Sequence, residues 1–266
     1  MKITMCDKKL WREYTGKLSI ISVFLSYILI VAKVPDGFWC KTTATIILSI
    51  FLVCFFLYTW CSANKKRETE VVINGFKVNI IFGDIFLQDG LKVIPFNEHF
   101  DTQVDGIIVT PTSLNGIYLD RYCEIKDRIE DEISKIKPIG QKKRVNGRKD
   151  KYKLGTICKV DEYLLMALTN FDNENRANLD RKKYFDCMMN FWNELDVIHG
   201  GYPVSIPLLG SGITRFNDGY ISKQELLNLI LYSLKLSRFQ IPADSQLTIV
   251  IHNSLFNDIN LYKLME

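Results

Sequence analysis

The chain has 266 residues, 34 Lys and Arg against 30 Asp and Glu, and a formal net charge of +4; so mild a balance, without a recognisable nucleic-acid module, does not suggest a nucleic-acid partner, and none is expected. Seven cysteines, odd in number and without a Cys-x-x-Cys or Cys/His cluster, exclude a disulfide scaffold and a structural zinc site and fit a reducing compartment. His99, His199 and His252 are scattered, so no metal is expected.

In chain order, residues 1–17 form a basic lead with Lys2, Lys8, Lys9, Arg12 and Lys17. Leu18 to Val34 carries no charge before Lys33, and as a helix it would reach about 25 Å, close to the hydrocarbon thickness of a bilayer. Pro35-Asp36-Gly37 breaks it, Phe38 and Trp39 offer interfacial anchors, and Thr42 to Cys61 is a second uncharged run followed by Lys65-Lys66-Arg67. Two adjacent apolar runs with basic flanks predict a transmembrane hairpin over 1–63, with spans at 18–34 and 42–61. A signal peptide is the competing reading of the first run, against which stand the second run and the lack of a small-residue cleavage site, and a buried helical hairpin in a soluble core is the other. The positive-inside rule puts both termini in the cytoplasm, which makes the chain a multi-pass protein of the cell inner membrane.

Residues 64–266 form the expected cytoplasmic domain. Val71-Val72-Ile73, Asn74-Gly75 and Phe76 to Phe82 read as a hairpin with a type I′ turn. Leu91 to Pro95 and Gly106 to Thr110 read as buried strands, and Asp120 to Lys135 as a helix with Ile125, Ile129, Ile133 and Ile136 on one face. Gln141 to Lys153, with Lys142, Lys143, Arg144, Arg148, Lys149, Lys151 and Lys153, reads as a solvated hairpin tip, or as a surface drawn to anionic lipid. Strands follow at Leu154 to Val160 and Tyr163 to Leu168. Leu179 to His199 is a helix with Phe185, Met188, Met189, Trp192 and Leu195 along one side, ended by Gly200-Gly201. Val204 to Leu208 is a strand, Ser222 to Ser237 a helix opened by a capping box, and Leu247 to His252 a last strand. Strands and helices in alternation predict an α/β domain, a mixed sheet with helices on its faces.

In such a sheet, ligands collect beyond the carboxyl ends of the strands. Three loops there carry suitable chemistry. Gly83-Asp84-Ile85 bends the chain and offers a carboxylate to an exocyclic amine such as that of adenine. Pro95 to Thr102 gathers Asn97, Glu98, His99, Phe100 and Asp101. Pro207-Leu208-Leu209-Gly210-Ser211-Gly212-Ile213 is a glycine loop able to turn backbone N–H groups toward phosphate, with the amino end of the following helix as a further source of positive potential.

The first and third of these, in this order, resemble the two hallmarks of macro domains, which bind ADP-ribose and related nucleotides. The resemblance implies that Asp84, with Ile85 beside it, holds adenine and that Gly210, Ser211, Gly212 and Ile213 wrap the diphosphate. Where catalytic macro domains carry Asn-Ala-Ala-Asn, this chain has Asn97 to Thr102 and Ser113-Leu114-Asn115-Gly116. Asn97, Phe100, Asp101, Leu114 and Asn115 are therefore expected at a distal pocket, without hydrolysis. With the spans included, the whole chain resembles the ThsA-type effectors of type II Thoeris antiphage defence. That resemblance implies a receptor without cofactor or metal, activated by histidine-linked ADP-ribose from a TIR-domain partner. It would then form a homo-oligomer in the lipid bilayer and disrupt it. The alternative is a membrane-tethered ADP-ribosyl hydrolase or phosphatase with His99 and Asp101 as acid and base.

Overall fold

In the computed structural model, which describes residues 3–31, 38–144, 146–172, 174, 176–212 and 214–264, the chain divides into two compact units. One is Met1–Lys66 with Asn260–Lys263, the other Arg67–Ile259 with Leu264–Glu266.

The first unit is built on two helices, α1 (Lys8–Val31) and α2 (Phe38–Asn64). Asp7 starts α1 by accepting the N–H groups of Lys9 and Leu10 at 2.9 and 3.3 Å. Near their common end the helices are joined by aromatic packing of Trp11 and Tyr14 on Phe56, and by a bond from the Tyr14 hydroxyl to the Leu52 carbonyl at 3.2 Å. Ile3, Leu10, Ala63 and Tyr262 close a small core there. Among the described residues one helix, α2, is long and apolar enough to cross a membrane, with a mean hydropathy of 2.2. The expected first span falls within α1 as far as Val31; 32–34 and the Pro35-Asp36-Gly37 break lie outside the described residues.

In the second unit, Asn74 and Gly75 take positive φ, +51° and +86°, and fold β1 (Glu68–Ile73) onto β2 (Phe76–Phe82), with Ile73 opposite Phe76. Then come β3 (Leu91–Asn97), α3 (Leu114–Arg121), α4 (Lys126–Ser134), β4 (Gly140–Gln141), β5 (Asp150–Lys151), β6 (Ile157–Val160), β7 (Tyr163–Phe171) and β8 (Ala177–Leu179). Last are α5 (Arg181–Ile198), β9 (Val204–Pro207), β10 (Arg215–Phe216), α6 (Lys223–Leu236) and β11 (Leu247–Ile251). The main sheet runs β1-β2-β11-β9-β3-β7-β8-β10, with β6 also on β7. Its middle strands β2, β11, β9, β3 and β7 are parallel. Of these, β11, β9, β3 and β7 are mostly apolar, as strands covered on both sides must be, whereas β2 alternates, with Lys77 exposed; β7 is buried at every position but Asn170. Helices α5 and α6 bury Met188, Trp192 and Leu195 with Leu227, Ile230 and Leu234, and the Trp192 indole N–H donates to Ser233 at 2.9 Å. Phe185 and Met189, expected in that stripe, are half-buried, and Tyr184 and Phe191 fill the core instead.

Three expectations change. Gly106 to Thr110 is not a strand, because the Asp105 carboxylate accepts the N–H groups of Ile107 and Ile108 at 2.8 and 2.7 Å and turns the chain. One isolated bridge, Val104 with Val109, remains. The helix expected at 120–135 is broken by a 3-10 turn at Cys123–Ile125. Tyr122 leaves helical geometry there and bonds its hydroxyl to that of Tyr163 at 2.7 Å. Third, the basic segment is not a freely solvated tip. Arg144 turns inward onto Asp101 at 2.8 Å, both side chains at least 97% buried, and the Arg148 N–H donates to the same carboxylate at 2.7 Å. Arg148 also pairs with Glu130, Lys151 with Glu98 at 3.0 Å, and Lys142 donates to the Phe171 carbonyl at 2.5 Å. Lys143, Lys149 and Lys153 are the exposed cations left for any lipid contact by this segment.

Removing one partner of a buried ion pair leaves the other uncompensated. Arg144→Ala is therefore expected to destabilise the chain by about 3 kcal/mol, read as a lower thermal melting temperature; an unchanged melt would contradict the packing described.

Candidate functional site

The parallel strands end side by side, and their loops surround a cavity of about 430 Å³, within the size range of small-molecule sites. The sheet itself opens at this place. β9 pairs with β3 only at Leu91 with Val204 and Lys92 with Ser205, whereas β9 follows β11 as far as Pro207 and β3 follows β7 as far as Asn97. Pro95 and Pro207, which have no N–H to donate, stand where the two strands have parted, and both line the cavity.

β2 delivers Gly83, Asp84 and Ile85 to the cavity wall. Asp84 is half-buried and caps a 3-10 turn at Ile85–Leu87, accepting the Phe86 N–H at 2.9 Å. A carboxylate can accept several hydrogen bonds, so this leaves capacity for a ligand donor. β9 delivers Leu208, Gly210, Ser211 and Gly212. Gly210 has φ +79°, and a Cβ there would stand 3.3 Å from the Tyr184 ring. The Tyr184 hydroxyl donates to the Leu209 carbonyl at 2.9 Å and Lys223 donates to that of Ser211 at 2.5 Å, so the loop is held from beneath. The Ser211 N–H closes the turn onto Leu208 at 3.1 Å. Gly212 is exposed, with nothing within 4 Å of an added Cβ. Ile213 lies outside the described residues. The capping box that opens α6 is present, but no residue of α6 lines the cavity, so the expected contribution of that helix end to the site is not seen.

The first turn of α3 supplies Leu114 and Asn115. Asn115 accepts the Ser113 hydroxyl at 2.6 Å and the Gly116 N–H at 3.1 Å. Asn97 also lines the cavity, but its polar atoms are spent locally, accepting the His99 N–H at 2.9 Å and donating to Asp101 at 3.0 Å. Phe100 and Asp101 are not brought into the cleft. Phe100, at φ +51°, is fully buried against Phe96 and Tyr152, and Asp101 is held by Arg144. His99 is likewise buried and outside the lining. Its Nδ1 lies 2.7 Å from the Asp150 carbonyl, to which it donates, and its Nε2 is 3.7 Å from Glu98. Burial lowers its pKa, so the imidazole stays neutral. Among the described residues no group of His, Cys, Asp and Glu could hold a metal.

Sequence reasoning missed Thr169 and Phe171 at the end of β7, and His252 and Ser254 after β11. The rule that drew attention to Gly83 and Gly210, looking past each strand end, would have found them.

The family model for the macro domain of the Thoeris protein ThsA matches residues 78–252. The Thoeris protein ThsA of Bacillus amyloliquefaciens (strain Y2) is 34% identical over 255 residues, covering 92% of this chain and 84% of that protein. An Oceanobacillus iheyensis macrodomain with ADP aligns at a TM-score of 0.42 and 11% identity, over 71% of this chain and 91% of that one. Another structure of that macrodomain, with MES bound, aligns at 0.41 and 12% over the same shares. Likeness at that distance carries no functional weight.

The two loop glycines differ in a measurable way. Gly210→Ala is expected to cost about 1–2 kcal/mol of stability for a side chain at positive φ, whereas Gly212→Val leaves the melting temperature unchanged. Equal melting of both variants would contradict the geometry.

Proposed function

The chain belongs to the Thoeris ThsA macro-domain family, and we propose that it is a membrane-anchored antiphage effector whose macro-like domain receives an ADP-ribose-derived messenger. The observation that carries this reading is the cavity at the strand ends, framed by Asp84 just past β2 and the glycine loop just past β9. Between those strands lies β11, so an extended ligand with a base at one end and a diphosphate beyond it matches the order of the chemistry. Adenine donates to Asp84. The diphosphate lies against the loop at Gly210 to Gly212, where the exposed Gly212 admits close approach. Leu114, Asn115 and Phe171 remain for the distal ribose and the group it bears, histidine in the first instance. Ile85 supports the base and Asn97 fixes the turn beneath the distal end.

A receptor rather than a hydrolase is favoured because His99 and Asp101, the acid and base of the alternative, are buried among Glu98, Asp150 and Arg144 instead of facing the cavity. In the first unit, α2 leaves Ile46, Ile47, Ile50, Phe51 and Val53 exposed, and α1 leaves Ile20, Val23 and Phe24 exposed. Surfaces of this kind suit lipid. The hydroxyls of Ser22, Ser26, Thr43, Thr45 and Ser49 donate to carbonyls one turn back in their own helices, as polar groups in hydrocarbon must. We read α1 and α2 together as the membrane hairpin, with both chain ends cytoplasmic. The messenger, made by a TIR-domain partner, acts by binding better to associated copies than to separate ones. Association gathers the hairpins and disrupts the bilayer.

Calorimetry on the full chain in detergent, with ADP-ribose and with histidine-linked ADP-ribose, tests the receptor reading. Binding is expected, tighter for the conjugate, with both ligands recovered intact. Asp84→Ala should weaken affinity about tenfold or more, the value of a charge-assisted hydrogen bond. Gly212→Val should abolish binding while the fold persists. Hydrolysis of either ligand, or unchanged affinity in Asp84→Ala, would contradict the reading.

A further inference from the structure

The first unit has its own cavity, of about 550 Å³, which the nucleotide reading does not use. Three separate parts of the sequence build it: Glu13 from α1, Tyr58 and Ser62 from α2, Lys65 and Lys66 just beyond α2, and Tyr262 from the returning segment. Lys65 and Lys66 are exposed. The charge of Glu13 is met by Lys17 at 2.5 Å, so the two lysines leave the cavity with an excess of positive charge.

Tyr262 supplies a second and independent sign of a ligand. Its side chain carries a hydroxyl that is buried and makes no hydrogen bond of normal geometry among the described residues. Burial, and then hydrogen bonding to and the charge of the nearby Glu13 carboxylate, raise its pKa, so it stays protonated. The ring is fixed from its other side. Lys9 lies 5.0 Å from the ring centroid and donates to the Tyr262 carbonyl at 2.7 Å, so the hydroxyl is held in place rather than free to turn to solvent. The cavity therefore offers two ammonium groups and one fixed hydroxyl donor, a set that matches the oxygens of a phosphate. Exposed Trp11 and Tyr58 stand at the same end of the two helices, which is the composition of a headgroup layer.

We propose that this cavity is a phosphate site, filled by the headgroup of an acidic phospholipid. The assignment of the lipid source rests on the reading that α2 crosses a bilayer. Basic pockets at the cytoplasmic ends of spanning helices take such headgroups. The site joins the chain's two ends around one anion, since Glu13 and Tyr262 meet there from opposite termini.

The test uses the full chain in nanodiscs of phosphatidylcholine containing a minor share of phosphatidylglycerol, with retained lipid counted by native mass spectrometry after release into detergent. Retention of phosphatidylglycerol over phosphatidylcholine is expected. It should fall about tenfold in the Lys65→Gln/Lys66→Gln double variant, and by a smaller factor in Tyr262→Phe, which keeps the ring. Added inorganic phosphate forms the second arm: displacement of the lipid only at high concentration supports a headgroup site, whereas retention of phosphate itself with no lipid preference supports the phosphate chemistry and overturns the lipid source. Equal retention of both lipids without phosphate binding, or no loss in the double variant, overturns the proposal. Carbonate extraction of the same membranes keeps the two readings apart. Release of the chain would remove the spanning premise, while firm retention with no lipid preference would remove the site alone.

Discussion

The pairing of β9 with β3 lasts two residues and then stops, and most of what the domain can do follows from that interruption. Were the two strands paired to their ends, the crevice between them would be closed. Instead Pro95 and Pro207, unable to donate, allow each strand to follow its outer neighbour, β3 toward β7 and β9 toward β11. The crevice this leaves lies at the carboxyl ends of parallel strands, where backbone groups run out of partners and loops from several strands converge. Asp84, the glycine loop and His252 meet there because of where their strands end, and Asn115 joins them from the first turn of α3, not because of any nearness in sequence.

Two different devices keep the walls of that crevice in place. On the β9 side the glycine loop is tied from beneath by Tyr184 and Lys223, and Gly210 supplies the backbone angle the turn requires. On the β3 side the turn from Asn97 to Asp101 is fixed by a buried network in which Arg144, Arg148 and Lys151 reach in from a hairpin far along the chain. Buried ion pairs are costly to assemble, and their best attested use is to specify one arrangement. Here the arrangement specified is the turn after β3, which meets the cavity at Asn97. The residues that look most catalytic in the sequence, His99 and Asp101, belong to this network, which is why a receptor fits the site better than a hydrolase.

The sequence was informative wherever structure is decided locally. Asn74-Gly75, the Ser222 and Glu225 capping box, the apolar runs of β7 and β11, and the glycines at 210 and 212 each carry their own physical reason within a few residues. It was uninformative where distant groups decide. Gly106 to Thr110 has the composition of a strand but is turned by the carboxylate of Asp105, and the helix expected at 120–135 breaks where Tyr122 finds Tyr163. The basic run after Gln141 reads as a solvated surface because nothing near it announces Asp101, Glu98 or Glu130 as partners. Phe100 was drawn into the expected distal pocket by its neighbours, yet it takes positive φ and is buried against Phe96 and Tyr152. Of the candidate site, the two loops that carry the family resemblance were legible, and the walls contributed by β7 and β11 were not.

On the proposed reading, occupancy of the crevice is converted into a change among copies of the chain. That conversion is tested most directly by the mass of the full chain in detergent, measured by light scattering with and without saturating histidine-linked ADP-ribose. A ligand-dependent rise in mass that returns to the starting value when the ligand is removed is expected. Ligand bound at the cleft with no change in mass would contradict it.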